Sequence, residues 1–383
     1  NIMDTQSSLK VTSMMHFMHG KRVVGYLRLL RKHLPQQQAF MPAFRGVRCM
    51  LVLLAFFLPL QQASAQKVAT LLHTTSTKAE GNDVFVFGFD RIFVSFKGSI
   101  NEHAAYKIMV DFNKYFNQSL IARKPADAAA SSDFIDKDGE TPTALKDAFI
   151  TFSLPVPAIN GFKLSVGKKK TAAGMEFNAP ASKLDFVKRG LGQKLIFNRN
   201  VGLMLHASGL GERGIGFSAG VYNAGPSNAS DIGIVGQDYT LVGQIEINPS
   251  KHLHVETYLG HAQTSVAGQE TVQLVGLGAR LIPLPRLTIK GELMQRDDPN
   301  NPAVDGSNAY LQAAYQFSPR FQLAFKLDAL DVAGNGKDRT DITIGLNAYV
   351  DSKNPHAAKV QINYVASDRS GKDAIQLLFQ TVF

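Results

Sequence analysis

The sequence predicts an all-β protein: a transmembrane antiparallel β-barrel of about 16 strands, with short periplasmic turns and longer outside loops. Apolar and polar residues alternate with a period of two through the second half of the chain, in stretches of about nine to eleven residues. The stretches are joined by connections that are alternately short and long, and a segment with the features of an export signal precedes them.

Residues 1–40 lie upstream of Met41, which suits a start, and read as an over-extended N-terminal segment; "KRVVGYLRLLRKHL" within it has the pattern of a basic amphipathic helix. Residues 41–65 read as a signal peptide. Arg45 and Arg48 supply a basic start, "CMLVLLAFFLPL" an apolar core too short to span a bilayer, and Ala63-Ser64-Ala65 a small-x-small cleavage site. The exported chain is then expected to begin at Gln66, with 66–383 forming the barrel domain. The formal charge of +10 suggests nucleic acid, but the first 65 residues hold eight Lys or Arg against one acid, Asp4. Residues 66–383 keep 33 basic and 30 acidic residues, net +3, which removes the argument for a nucleic-acid partner. The single cysteine, Cys49, leaves with the signal, so neither disulfides nor a thiolate metal site stabilises the remainder.

The alternation is clearest in "FQLAFKLDA", where Phe321, Leu323, Phe325, Leu327 and Ala329 share one face and Gln322, Ala324, Lys326 and Asp328 the other. "DITIGLNAYV" and "AKVQINYV" behave likewise. Reading backwards gives strands near 375–383, 358–365, 341–350, 321–329, 309–317, 287–294, 271–281, 253–261, 238–247, 215–222, 201–208, 162–167, 146–153, 105–112 and 92–98. One more, at 68–73 or 84–89, brings both chain ends to the same rim and the total to 16. A sheet facing lipid must close, because an open edge leaves backbone groups unpaired in hydrocarbon. A barrel of this width encloses an aqueous lumen unless something fills it. With no tryptophan in the chain, Phe and Tyr must supply the interfacial aromatic belts.

The enzymatic motifs are weak. "GLGERG", 209–214, is followed by strand-like "IGFSAGVY" rather than a helix, so a hairpin turn is expected there and not a nucleotide loop. "DKDGE", 136–140, lacks the ligand ladder of a calcium loop. His252 and His254 have no third ligand nearby in sequence, and no G-x-S-x-G occurs. No catalytic residue, metal or cofactor is expected.

Charge is concentrated in 163–199, "KLSVGKKKTAAGMEFNAPASKLDFVKRGLGQKLIFNR", with nine basic residues and two acids. Its candidates for a pore constriction that attracts anions are Lys168, Lys169, Lys170, Lys183, Lys188, Arg189 and Arg199. Two placements stay open: an outside loop meeting lipopolysaccharide or water, and a loop folded into the lumen, where confined charge enriches counter-ions. Lys290, Arg296, Lys326 and Lys359 are expected to face the lumen and extend the basic track, offset by Glu292 and Asp328.

The order of "YKIMVDF", "LKDAFITF", "VGKKKTAAGMEFNAPASKLDFVKRG", "NRNVGLML" and "NPHAAKVQINYV" resembles the phosphate-selective porin O and P family of bacterial outer-membrane channels, over roughly residues 90–383. The resemblance implies a 16-stranded barrel, a homotrimer, and basic residues lining the constriction. Carried over, these are Lys168, Lys169, Lys170, Lys183, Arg189 and Arg199. The chain departs from the family at Phe186-Val187-Lys188-Arg189, where a glutamate precedes the arginine in the family. The expected partners are small anionic solutes, phosphate among them, together with outer-membrane lipid and lipopolysaccharide. A structural or adhesive barrel with a closed lumen is the alternative. The chain ends "IQLLFQTVF"; Phe383 looks like the terminal aromatic that outer-membrane assembly machinery recognises, and Thr381 sits where an apolar residue is more usual.

Overall fold

The computed structural model describes residues 67–81, 84–114, 144–156, 161–211, 214–223, 239–263, 268–334 and 338–383. Residues 1–40, read as over-extended, residues 41–65, read as a signal peptide and holding Cys49, and "DKDGE" lie outside the described residues.

The chain runs through β1 (Lys67–Ala79), β2 (Val86–Ser99), β3 (Ala104–Asp111), β4 (Leu145–Ser153), β5 (Lys163–Lys170), β6 (Arg199–Leu210), β7 (Ile215–Tyr222) and β8 (Tyr239–Ser250). It continues through β9 (Leu253–Gln263), β10 (Val272–Leu284), β11 (Leu287–Asp297), β12 (Gly306–Ser318), β13 (Phe321–Val332), β14 (Arg339–Tyr349), β15 (Ala358–Ser367) and β16 (Ala374–Val382). Each strand pairs antiparallel with its neighbours in sequence, and β1 pairs with β16 to close the barrel. The terminal residue belongs to that closure: Thr70 and Phe383 exchange backbone hydrogen bonds of 2.6 and 3.1 Å. Of the two candidates for the first strand, 68–73 is β1, whereas 84–89 runs into the start of β2.

The sheet is apolar outside and polar inside. On β13, Leu323 and Phe325 are about half exposed, at 51% and 47%, while Lys326 and Asp328, on the alternate positions of the same strand, are each 3% exposed. Such a sheet fits hydrocarbon and not water, because burying Lys, Asp, Asn and Gln inward while Leu, Ile and Phe face out inverts the soluble pattern. Among the described residues no helix is long and apolar enough to cross a membrane. Outward-facing rings stand near both rims: Phe87 and Phe89 at one, and Tyr315, Phe317, Phe321 and Phe383 at the other, with Phe317 and Phe321 stacked at 6.0 Å.

The short connections share one rim. "GLGERG" is the β6–β7 hairpin, and Gly209, Gly211 and Gly214 all take positive φ, which a side chain would oppose. The β10–β11 connection is only Pro285-Arg286, and Arg286 is forced to φ 72°. Two bulges redirect charged side chains. Asp90 is the extra residue of β2 where it leaves register with β1, and Lys146 is the extra residue of β4 against β3. A bulge breaks the strict alternation of faces.

Candidate channel and its constriction loop

After β5 the chain turns into the barrel. Residues 171–198 cross its interior as a short helix α1 (Met175–Asn178), two 3-10 turns at Ala181–Lys183 and Leu191–Lys194, and irregular backbone. Backbone groups inside a barrel need partners, and the wall supplies them. The Glu292 carboxylate of β11 accepts from the backbone N–H groups of Met175 and Glu176, at 2.7 and 3.3 Å, and from the Tyr258 hydroxyl at 2.9 Å. Asp328 on β13 accepts from Leu191 N–H at 2.8 Å.

The loop's two acids face wall cations. Asp185 accepts from Lys290 Nζ at 2.6 Å and Gln312 Nε2 at 2.8 Å. Glu176 accepts from Lys326 Nζ at 2.8 Å. Lys359 and Gln361 on β15 donate to the Leu184 carbonyl at 2.7 and 3.2 Å, and Gln380 on β16 donates to Ser182 O at 3.1 Å. Apolar packing adds to these bonds. Ala172, Ala173, Phe177, Leu195, Ile196 and Phe197 join inward-facing Met204, Tyr222, Tyr258, Leu274, Met294 and Leu330 in one buried cluster. Each large side chain so buried contributes about 1.5–3 kcal/mol. Gly276 makes room for this arrangement: the Tyr258 ring lies where a Cβ would be.

With the loop held against β8–β16, open space remains along β1–β6. A cavity there is lined by residues from Ala69 and Lys97, near the short-turn rim, to Asp111, Lys114 and Lys146, near the long-loop rim. Its described lining carries nine basic residues: Arg91, Lys97, Lys107, Lys114, Lys146, Lys169, Lys170, Arg189 and Arg199. Three acids oppose them, Asp90, Asp111 and Asp147. Asp147 pairs with Lys107 and, at 2.8 Å, with Arg199 Nε. Among the described residues no carboxylate lies within ion-pair distance of Lys169, Lys170 or Arg189.

The sequence candidates divide. Lys169, Lys170, Arg189 and Arg199 line this cavity together. Lys168 does not: it stands opposite Ala148 and Val201, the register that carries Val166 and Ile150 outward, so its side chain is on the other face of β5 from Lys169. Lys183 and Lys188 are exposed on the loop, and Lys188 borders a second hollow with Arg339 and Lys372. Lys290, Arg296, Lys326 and Lys359 face inward but do not extend the basic track along the cavity. Three grip Asp185, Glu176 or Leu184 O of the loop, and Arg296 pairs with Asp298, its Nε donating at 3.0 Å. Arg189 also braces the loop internally, donating to Ala179 O at 2.7 Å and Glu176 O at 3.2 Å.

Sequence reading missed Arg91, Lys97, Lys107, Lys114 and Lys146. They are scattered over β2–β4 and the turn after β3, with no local cluster to mark them. For Lys146 the bulge defeats parity, because consecutive Lys146 and Asp147 both reach the cavity. Of the two histidines, His252 is exposed, and His254 shares its ring nitrogens with Asn248 and Glu256 at 2.8 and 2.9 Å.

Closed 16-stranded antiparallel architecture, apolar outside, with a loop folded within, defines a transmembrane β-barrel. No protein-family model matches the sequence, and no curated protein matches it. Solved structures do match in fold. An anion-selective porin from Comamonas acidovorans aligns with TM-score 0.56 and 11% identity, over 83% of this chain and 99% of that one. The outer-membrane channel DcaP of Acinetobacter baumannii aligns with TM-score 0.55 and 12% identity, over 84% and 98%. OmpT of Vibrio cholerae, in trimer form, aligns with TM-score 0.51 and 12% identity, over 84% and 100%.

Proposed function

We propose that this protein is an outer-membrane porin, a water-filled channel for passive diffusion of small solutes, and that it prefers anions. The observation that carries the preference is the excess of nine cations over three acids along one cavity. Charges on a confined, partly dehydrated wall raise the local concentration of the opposite ion. Similarity in fold to porins and channels supports the channel reading, as does the resemblance in sequence order to the phosphate-selective porin O and P family. Phosphate itself is the narrower version. The trimer form of one neighbour supports a homotrimer, and the aromatic end at Phe383 supports delivery by outer-membrane assembly machinery into a lipopolysaccharide-bearing membrane.

Planar bilayers test this directly. Purified protein under a potassium chloride gradient is expected to conduct with a reversal potential set by chloride. Potassium preference would overturn the anion reading, and absence of conductance would favour the closed structural barrel. Block of chloride current by phosphate supports the narrower version.

A further inference from the structure

The cavity wall is not polar throughout. Leu71 on β1, Phe93 on β2, Met109 on β3 and Phe149 on β4 all line it. Leu71 faces Phe93 in register; Met109 lies opposite Ser95 and Phe149 opposite Lys107, so from β2 the stripe steps two residues per strand toward the short-turn rim. Inward apolar residues on β6–β13 are explained by the loop they pack against. These four are outside that cluster; Leu71, Phe93 and Phe149 are partly exposed to the open space, and Met109 is buried beside them. A wall serving only hydrated inorganic ions gains nothing from them, since apolar surface left in water is unfavourable.

The stripe is interleaved with cations. Lys169 Nζ stands 5.0 Å and Lys107 Nζ 6.0 Å from the centre of the Phe149 ring. Phe177, on the loop and also lining the cavity, has Lys170 Nζ at 4.5 Å and the Arg189 guanidinium at 5.9 Å from its ring centre. An apolar stripe with ammonium groups standing over two of its neighbouring rings complements one kind of solute: a flat apolar body carrying a negative group. The apolar side chains of the stripe, Phe93 among them, take the body, and Lys169 or Lys107 takes the charge.

We propose that this stripe makes the cavity a path for aromatic carboxylates, which it passes in preference to small aliphatic or inorganic anions of equal charge. The proposal rests on the anion-channel reading and adds the solute class to it. Bi-ionic reversal potentials test it, with sodium benzoate and sodium acetate compared on the full chain. Sieving alone makes benzoate, the larger ion, the slower. The expected result is a benzoate-to-acetate permeability ratio above one, falling about threefold or more in Phe149→Ser and in Phe93→Ser. Chloride-over-potassium preference should be unchanged in both variants, since no charge is removed. Benzoate slower than acetate in the unaltered protein overturns the proposal while leaving the anion channel standing. A high ratio that neither variant lowers overturns it too. Absence of conductance, or preference for potassium, removes the underlying reading and this proposal with it.

Discussion

Consecutive lysines do different work in "GKKKT". Lys169 and Lys170 line the cavity, whereas Lys168 shares the outward register of Val166. One charge at about 6 Å and an effective dielectric near 20 is worth ~3 kcal/mol before salt screening. A tenfold change in permeability ratio needs only ~1.4 kcal/mol. The double variant Lys169→Glu, Lys170→Glu is therefore expected to lower the chloride-to-potassium ratio by about tenfold. Lys168→Glu is expected to leave it unchanged, and reversal potentials in bilayers separate the two. A shift in both would place Lys168 in the ion path and refute the register argument. Sequence showed the density of charge at this place but not its direction. Strand parity assigns Lys169 correctly and fails for Lys170, the last residue of β5, where the chain already turns inward.

At the scale of elements, strands were legible and the loop's tethers were not. Leu323, Phe325 and their like mark each strand because one face must be apolar along its whole length. The loop is held instead by single side chains from widely separated strands, and no local pattern announces that Lys290, Lys326 and Lys359 meet it. Their expected role as extra cations of the track gives way to a mechanical one, because Asp185, Glu176 and the Leu184 carbonyl neutralise or occupy them. Asp185→Ala removes the partner of Lys290 and Gln312 at once. Loss of such paired contacts costs about 1–3 kcal/mol. The variant is expected to show a lower thermal midpoint in detergent and noisier single-channel current, with the closed β-sheet signal in circular dichroism retained. Quiet current at the native level would mean that the remaining tethers suffice.

For the whole molecule, closure is decided at one seam. β1 and β16 pair from Leu71↔Val382 to Ala79↔Ala374, and Phe383 completes the ladder through Thr70. Removing residues 379–383 strips this pairing from the short-turn half of the seam and leaves donors and acceptors facing lipid, at several kcal/mol each. The truncated chain is expected to lose the compact, heat-modifiable band on unboiled SDS gels. Retention of that band would show that the seam tolerates an open half. The closing strand was readable from the chain's own end, where Ile375, Phe379 and Phe383 alternate with Gln376 and Gln380. Partnership of Gln380 with the loop was not.

The separation along the chain between the loop and its holders sets an order in time. Asp185 waits for Lys290, 105 residues later, and Ser182 waits for Gln380, 198 residues later. Contacts so distant form slowly, since the intervening chain must first be arranged. A barrel in the making is therefore wide before it is narrow, and residues 171–198 take their place only after the wall behind them is finished. A thiol at Val187→Cys, a site 1% exposed in the finished protein, should stay reactive during refolding until β16 is paired, in a chain whose native Cys49 is replaced by serine. Protection that precedes pairing of β16 would reverse that order.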